Sequence, residues 1–341
     1  MNALLNQERR HIVVIGASAG GIDALRTLFA RLPAGLSVSY FVVLHLSPQY
    51  PSQLNRILQA ATPMPVAFAT DRQRILPDTV SIAPPDRHLM LERECIRITR
   101  GPRECRSRPA ADVLFRSAAL AFGQRVIGVV LTGSLDDGTA GLWQIKDRNG
   151  LALVQDPEEA QHRSMPDSAI EHVDVDFVGT IDALAARIAQ AAGEALPQPP
   201  EAEEPPRQGA EIENAIARGE KGMEAGIMAI GTASAYTCPE CGGGLAQIEE
   251  GRVVRFRCHT GHAYSFQSLL SDVNTSVDQR LWSTVRAIEE RILILGQLAD
   301  LAEKNGNPDE AARLRAKASL ADRKCQPLRE LVLDTDFFAS D

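Results

Sequence analysis

The stretch HIVVIGASAGG (residues 11–21) passes from an apolar run into a turn of small residues around Ser18. The run from Ile12 to Ile15 is too short and too β-branched for a buried helix. It predicts a strand of a parallel sheet that is buried on both faces, because such strands are continuously apolar. Ser18 would then follow the carboxyl end of this strand.

Two later stretches repeat this pattern. YFVVLHLS (40–47) brings His45 to the end of an apolar run, and VIGVVLTGSLDDG (126–138) does the same for Asp137. In an open parallel sheet, ligands bind beyond the carboxyl ends of the strands. We therefore expect Ser18, His45 and Asp137 to meet at one edge of the sheet.

Strand-like and helix-like runs alternate from about residue 11 to residue 190. This alternation, with right-handed crossovers, predicts an α/β fold: a doubly wound, mostly parallel sheet with helices on both faces. LERECIRITR (91–100) is expected to add a hairpin strand at the side.

Composition and charge exclude several classes of protein. The chain has 36 Lys and Arg against 44 Asp and Glu, a net charge of −8, so we expect no nucleic-acid partner. The dense basic patch RGPRECRSR (100–108) is expected to be a solvated loop. With no signal-peptide core and no apolar run near the roughly 18 residues of a membrane span, we expect a cytoplasmic protein without membrane insertion.

GASAG (16–20) is a Gly-x-Ser-x-Gly arrangement between a predicted strand and a predicted helix. Its small residues allow a sharp turn that exposes the Ser18 hydroxyl near backbone N–H donors. His45 can serve as the base and Asp137 as the group that orients it. The alternatives are a phosphate-binding turn and a structural histidine. Nucleotide binding is disfavoured because Ser18 replaces the second glycine of the dinucleotide motif, and His45 stands where a ribose-binding acid is needed.

Six blocks of this sequence, in order, resemble the chemotaxis protein-glutamate methylesterase family. They are IGASAGG, the histidine after the second strand, DTVSIAPPDRHLML, RPAADVLFRSAA, LTGSLDDGTAGL and VQDPEEAQHRSMPDSA. The resemblance implies Ser18 as nucleophile, His45 as base and Asp137 as orienting residue. It further implies hydrolysis of glutamyl methyl esters on chemoreceptors without a catalytic cofactor, and glutamine deamidation as a second candidate activity.

The sequence departs from this family at two points. Where the family has a Met-Gly pair whose Met N–H helps to form the oxyanion hole, Ser134 and Leu135 stand here. A backbone donor survives a change of side chain, so the N–H groups of Ala19 and Ser134 are expected to form this hole. Members typically carry an N-terminal receiver domain, whereas ten residues precede the first strand here. Control by phosphorylation in cis is therefore not expected.

Four metal-ligating residues cluster in the C-terminal half. CPEC supplies Cys238 and Cys241, and CHTGH, after sixteen intervening residues, supplies Cys258 and His262, with His259 as the rival fourth ligand. Two such pairs on a small ribbon suit tetrahedral zinc, and four protein ligands leave no open position. We expect a structural zinc; the alternative is free thiols in a small β-hairpin.

The C-terminal tail has apolar residues at alternating steps of four and three. The first run is Leu281, Val285, Ile288, Ile292, Leu295, Ala299 and Ala302, and the second, after NGNP (305–308), is Ala311, Leu314, Ala318, Ala321, Cys325 and Leu328. Two heptad-patterned helices around a tight turn predict an antiparallel helical hairpin that packs on itself or a coiled coil that binds a partner.

The predicted organisation has four parts. They are a methylesterase catalytic domain (1–193), a Pro- and Glu-rich linker with a short helix (194–232), a zinc-ribbon-like module (233–266) and a helical hairpin or coiled coil (267–335). We expect zinc removal to unfold the C-terminal part while the sheet domain stays folded.

The functional prediction is hydrolysis of glutamate methyl esters on a methylated chemoreceptor or receptor-like helical protein, in chemosensory signalling and adaptation. The alternative, motivated by the altered oxyanion loop and the added tail, is a catalytically weak signalling adaptor. It would recruit partners through the zinc module and the C-terminal helices.

Overall fold

The computed structural model describes residues 9–46, 52–196 and 208–338. Nearly all of the stretch LPQPPEAEEPPR (196–207), predicted as a stiff linker, lies outside the described residues. The chain divides into two compact units, Met1–Ser268 and Leu269–Asp341.

A seven-stranded sheet forms the centre of the first unit, and its strand order is β3-β4-β2-β1-β7-β8-β9. Each neighbouring pair of these strands runs parallel. β5 and β6 pair as the separate antiparallel hairpin that the sequence predicts. The strands are β1 (Ile12–Ala17), β2 (Ser39–Leu44), β3 (Val66–Phe68), β4 (Thr79–Ile82), β5 (His88–Leu91), β6 (Ile96–Thr99), β7 (Val126–Val130), β8 (Leu151–Gln155) and β9 (Phe177–Gly179).

Helices cover both faces of this sheet. Because successive strand residues point to opposite faces, Val13 and Ile15 join one core while Ile12 and Val14 join the other. α1, α2 and α6 pack on the first face, and α3, α4 and α5 pack on the second. The predicted doubly wound α/β fold is confirmed. The helices are α1 (Gly21–Arg31), α2 (Leu54–Gln59), α3 (Ala111–Phe122), α4 (Thr139–Asp147), α5 (Ser164–His172) and α6 (Ile181–Gly193).

The rest of the first unit is a helical segment followed by a four-stranded antiparallel sheet, which we call the ribbon sheet. The helices are α7 (Gln208–Arg218), α8 (Gly222–Ala225) and α9 (Ile227–Ile230), and the strands are β10 (Thr232–Thr237), β11 (Gly244–Glu250), β12 (Val253–Cys258) and β13 (Ala263–Ser265). The ribbon sheet therefore belongs to the same compact unit as the large sheet, rather than forming the separate module that we expect from the sequence.

A buried ionic cluster joins the two sheets of the first unit. Glu213 of α7 contacts Arg116 of α3 and both Arg255 and Arg257 of β12, and Glu104 contacts Arg116 and Arg257. These five side chains are 5% exposed or less. Glu250 of β11 also pairs with Arg255, so three acids face three arginines. The three arginines hold the pKa of Glu213 far below its usual value despite its burial.

The basic patch 100–108 lies at this junction, so the prediction that it is a solvated loop is wrong. Glu104 and Cys105 are buried, and the backbone of this segment pairs with Ala263 of β13. The Ala263 N–H donates to the Arg103 carbonyl at 3.1 Å, and the Cys105 N–H donates to the Ala263 carbonyl at 2.9 Å. Charge alone is misleading here because Asp86 pairs with both Arg100 and Arg108, and Glu104 within the patch pairs with the buried Arg116 and Arg257.

The second unit contains most of α10 (Phe266–Lys304), then α11 (Pro308–Leu333) and α12 (Thr335–Phe338). Arg315 pairs with Asp300, and Arg329 pairs with Glu289, so α10 and α11 run antiparallel as a hairpin. Val285, Ala299, Ala311, Ala321 and Cys325 of the predicted heptads are the most buried positions. The hairpin packs on itself along the predicted face.

Candidate active site

The structure brings Ser18, His45 and Asp137 together at the carboxyl edge of the large sheet. Ser18 directly follows β1, His45 directly follows β2, and Asp137 lies between β7 and α4. His45 Nδ1 lies 3.0 Å from Ser18 Oγ, and His45 Nε2 lies 2.7 Å from Asp137 Oδ2. The imidazole therefore bridges the hydroxyl and the carboxylate.

Asp137 is buried, and the first turn of α3 holds its carboxylate. The Ala111 N–H donates to Oδ2 at 2.6 Å, and the Asp112 N–H donates to Oδ1 at 3.0 Å. A helix N-terminus stabilises negative charge, because its first N–H groups have no partner within the helix. The Asp137 side chain is 1% exposed, whereas that of His45 is 21% exposed, so the imidazole is open to a reactant while its carboxylate partner is not.

The neighbouring Asp136 has different surroundings from Asp137, since His45 contacts Asp137. Burial raises the pKa of Asp136 to about 6, and the nearby Ser265 side chain of β13 opposes this shift. Thus the ribbon sheet contacts the residue directly before Asp137.

The turn that carries Ser18 is fixed from the strand next to it. The Ser18 N–H donates to the Thr132 carbonyl at 3.0 Å, and the Thr132 hydroxyl donates to the Ala19 carbonyl at 3.0 Å. Gly133 allows this close approach, because a Cβ at that position would lie 2.8 Å from Ser18 Cβ and 2.0 Å from Met165 Sδ. Gly20, with φ of 74°, then starts α1 in the left-handed conformation that glycine favours.

The loop after Gly133 keeps a backbone shape that glycine would adopt easily. Leu135 has φ of 63°, which places a branched side chain in the left-handed region. Ser134 is exposed beside it. Among the described residues, neither the Ala19 N–H nor the Ser134 N–H has a hydrogen-bond acceptor, so both donors are available to an added ligand.

The predicted metal ligands also meet. One ligand atom from each of Cys238, Cys241, Cys258 and His262 lies within 4.8 Å of the others. The sulfurs of Cys241 and Cys258 are 3.7 Å apart, and His262 Nδ1 is 3.6 Å from the sulfur of Cys238 and from that of Cys258. His262 rather than His259 completes this set, and its Nε2 lies 3.3 Å from a carboxylate oxygen of Glu240.

The sequence patterns do not predict a role for Asp112, nor do they predict the buried ionic cluster. The stretch RPAADVLFRSAA (108–119) supports the family resemblance, but its aspartate has no role predicted from the sequence. The sequence does carry a signal, an aspartate near the start of a predicted apolar helix, since ionisable groups on apolar segments are rarely buried without partners.

Comparison with known proteins then assigns the family. The CheB methylesterase family model matches residues 13–188, about half of the chain and the whole region that carries Ser18, His45 and Asp137. The chain belongs to the CheB methylesterase family. The predicted family resemblance and the predicted enzyme class are confirmed.

Relatives of this CheB methylesterase-family chain carry matching names. A Leptospira interrogans protein, provisionally named protein-glutamate methylesterase/protein-glutamine glutaminase, is 38% identical over 174 residues, which are 51% of this chain and 90% of that protein. Protein-glutamate methylesterase/protein-glutamine glutaminase 2 of Methanosarcina acetivorans is 35% identical over 192 residues, 54% of each chain. This chain thus spans about half the length of that second relative.

A solved structure agrees with the fold. This chain is similar to the crystal structure of the Thermotoga maritima CheB methylesterase catalytic domain, with 30% sequence identity and a TM-score of 0.51. The match covers 53% of this chain and 97% of the Thermotoga maritima chain. Within the described parts of this chain, no helix combines the length and apolar composition that crossing a bilayer would require.

Proposed function

We propose that this chain hydrolyses glutamate methyl esters on chemoreceptor-like proteins through Ser18, His45 and Asp137. The observation that carries the proposal is the continuous hydrogen-bonded series from the Ser18 hydroxyl through the His45 ring to the Asp137 carboxylate. A serine hydroxyl is a weak nucleophile alone, and a neighbouring imidazole base activates it.

In this mechanism Ser18 Oγ attacks the ester carbonyl while His45 Nδ1 takes its proton. Asp137 accepts a hydrogen bond from Nε2–H, so it orients the ring and stabilises the imidazolium. The same proton then passes to the methoxide, and methanol leaves. Water next attacks the acyl-enzyme with His45 again as the base, which releases the glutamate carboxylate and restores Ser18.

The N–H groups of Ala19 and Ser134 are the proposed oxyanion donors. Ala19 directly follows Ser18, and Ser134 directly follows Gly133, which lies against Ser18. Fixed donors stabilise the charge that develops on the carbonyl oxygen, and the loss of one such donor commonly costs about 10²–10³-fold in kcat.

Glutamine deamidation is a second proposed activity of the same site. The names of the relatives include protein-glutamine glutaminase. The chemistry differs only in the leaving group, since ammonia replaces methanol after His45 protonates it. Neither reaction needs a cofactor in this mechanism.

We also propose that Cys238, Cys241, Cys258 and His262 hold a structural zinc ion. For Zn–S bonds of about 2.3 Å, sulfurs at the corners of a tetrahedron lie about 3.8 Å apart, and Cys241 and Cys258 are separated by 3.7 Å. Glu240 fits the usual outer partner of a metal-bound imidazole. Zinc would crosslink the two turns of the ribbon sheet without taking part in the ester chemistry.

The proposed partner is a methylated, helical receptor domain. We further propose that this chain acts in the cytoplasm. The second unit offers exposed apolar side chains on α10, among them Leu293, Ile294, Leu298 and Leu301, as a surface for further partners. The adaptor alternative shares this surface but requires no turnover.

Labelling with a fluorophosphonate and methanol release from methyl-labelled chemoreceptor test the esterase. We expect labelling and release in the unmodified chain, and loss of both in Ser18→Ala and His45→Ala. Ser283→Ala, which changes an exposed serine of α10, is the matched control and should behave like the unmodified chain. Methanol release that survives Ser18→Ala would contradict the proposal, and an unlabelled, inactive chain would favour the adaptor.

A further inference from the structure

Asp112 is a buried carboxyl group that the proposed reaction does not use directly. It is the second residue of α3 and is 3% exposed. Its Oδ1 accepts hydrogen bonds from the Gly138 N–H at 3.0 Å and from the Gly141 N–H at 2.6 Å. Its Oδ2 lies 3.7 Å from the sulfur of Cys105.

These contacts form a reciprocal arrangement with Asp137. Asp137 lies two residues before the start of α4, yet its carboxylate accepts from the first N–H groups of α3. Asp112 lies in the first turn of α3, yet its carboxyl group accepts from the Gly138 N–H just before α4 and from the Gly141 N–H in the first turn of α4. Each helix N-terminus is therefore capped by the aspartate of the other, and each cap satisfies donors that have no partner within their own helix.

We propose that Asp112 is a positioning residue of the esterase site: by capping α4 it fixes the loop that carries Asp137 and thereby the angle at which Asp137 meets His45. This inference rests on the proposed function for its kinetic consequences, although the geometry that it predicts exists with or without turnover. Asp112 contacts neither Ser18 nor His45, so it acts through Asp137.

The charges around Asp112 indicate that it works as the neutral acid. Burial, Asp137 and Glu104 raise its pKa to about 8, against the opposing effects of the Gly141 N–H and Arg255. Burial and neighbouring carboxylates also raise the pKa of the Cys105 thiol well above its usual value, so Cys105 stays protonated. Below about pH 8 Asp112 is therefore a neutral acid beside Asp137.

Ionisation of Asp112 should lower the activity. As pH rises through about 8, Asp112 ionises beside Asp137, and two adjacent buried carboxylates repel each other. The reciprocal caps loosen, and activity falls on the alkaline side. Asp112→Asn keeps the acceptor oxygen but cannot ionise, so this alkaline decline should move to higher pH or disappear.

The test compares Asp112→Ala, Asp112→Asn and Ser117→Ala. Ser117 is a buried polar residue of the same helix, and its hydroxyl donates to the Leu114 carbonyl and accepts from the Leu91 N–H, away from the site. At pH 7 we expect Asp112→Ala to lower kcat roughly 10- to 100-fold with little change in KM, as a small misplacement would. Asp112→Asn should restore kcat, and Ser117→Ala should affect stability without affecting kcat.

A second measurement makes the outcome independent of catalysis. The NMR signal of the His45 Nε2 proton reports its hydrogen bond to Asp137, and we expect it to be lost in Asp112→Ala and kept in Asp112→Asn. An unmodified chain without esterase activity would contradict the proposed function while this signal still tests Asp112. Wild-type kcat and an unchanged signal in Asp112→Ala, or failure of Asp112→Asn to restore either, would overturn the inference. If Asp112→Ala does not fold, the pH dependence of the activity of Asp112→Asn provides the test. An alkaline decline at the same pH as in the unmodified chain would overturn the inference.

Discussion

At the scale of single residues, the site depends on small groups that permit close contact. Gly133 lies directly against Ser18, and no larger residue fits because the space is already filled by Ser18 Cβ and Met165. The motif around Ser18 predicts neither the contact of Gly133 with Ser18 nor its contact with Met165, because Gly133 and Met165 lie far from Ser18 in the sequence. The motif thus predicts the nucleophile but not the packing that holds it.

Gly133→Ala should sharply reduce activity. The added Cβ would lie 2.8 Å from Ser18 Cβ and force the turn to shift, and we expect kcat to fall by on the order of 10²-fold because the hydroxyl loses its alignment. Gly193→Ala, at a helix position with nothing within 4 Å of the added carbon, is the control. Unchanged methanol release in Gly133→Ala would show that the turn tolerates displacement.

At the scale of elements, the loop between β7 and α4 decides whether the oxyanion donors are aligned. Leu135 adopts the left-handed conformation that glycine favours, with φ of 63°. That conformation costs an ordinary residue roughly 1–2 kcal/mol. The packing of the loop against α3 and α5 must therefore outweigh this local preference.

Substitutions at Leu135 test this view of the loop. Leu135→Gly removes the strain and should retain kcat, whereas Leu135→Val should lower it, since β-branched residues are least suited to positive φ. Initial rates of methanol release and melting temperatures of both variants provide the measurement. Equal activity of the valine variant and the unmodified chain would argue against a strained, rate-determining loop.

At the scale of the whole molecule, the first unit combines two sheets that the sequence alone suggests are separate modules. Glu213 is central because it contacts arginines from both parts while it is almost fully buried. Removal of one partner from such a cluster leaves uncompensated charge in the interior.

Glu213→Gln should therefore destabilise the first unit by about 3–5 kcal/mol. Glu211→Gln, on the same helix but exposed, is the matched control and should change stability little. Urea unfolding followed by circular dichroism measures both variants. A Glu213→Gln variant as stable as Glu211→Gln would show that the cluster contributes no net stability.

Metal removal should affect both sheets together, which replaces the expectation that the sheet domain stays folded. β13 begins directly after His262, pairs with the segment at Arg103 and Cys105, and ends at Ser265, which contacts Asp136. We expect a zinc chelator, or Cys258→Ser, to lower the melting temperature of the first unit in one transition and to reduce esterase activity in parallel.

Cys95→Ser, which lies outside the cysteine cluster, is the control for Cys258→Ser and should melt as the unmodified chain does. The opposite outcome is two separate melting transitions, in which chelation does not shift the transition that coincides with the loss of activity. This result would support the interpretation that the zinc module is independent.

The sequence by itself determined the α/β sheet, the meeting of Ser18, His45 and Asp137, and the four clustered ligands. Short β-branched runs specify parallel strands, and parallel strands bring their carboxyl ends to one edge whatever the connecting segments do. The heptads likewise predicted the faces of α10 and α11, because helical periodicity is local.

Only the tertiary structure decided the reciprocal caps of Asp112 and Asp137, the left-handed Leu135 and the docking of the ribbon sheet through Glu213. Each depends on partners from distant segments, such as Glu213 and Arg116, whose pairing leaves no periodic signal in the chain. Buried charges are fixed by three-dimensional neighbours rather than by sequence spacing, since burial is tolerated only where opposite charges and donors converge.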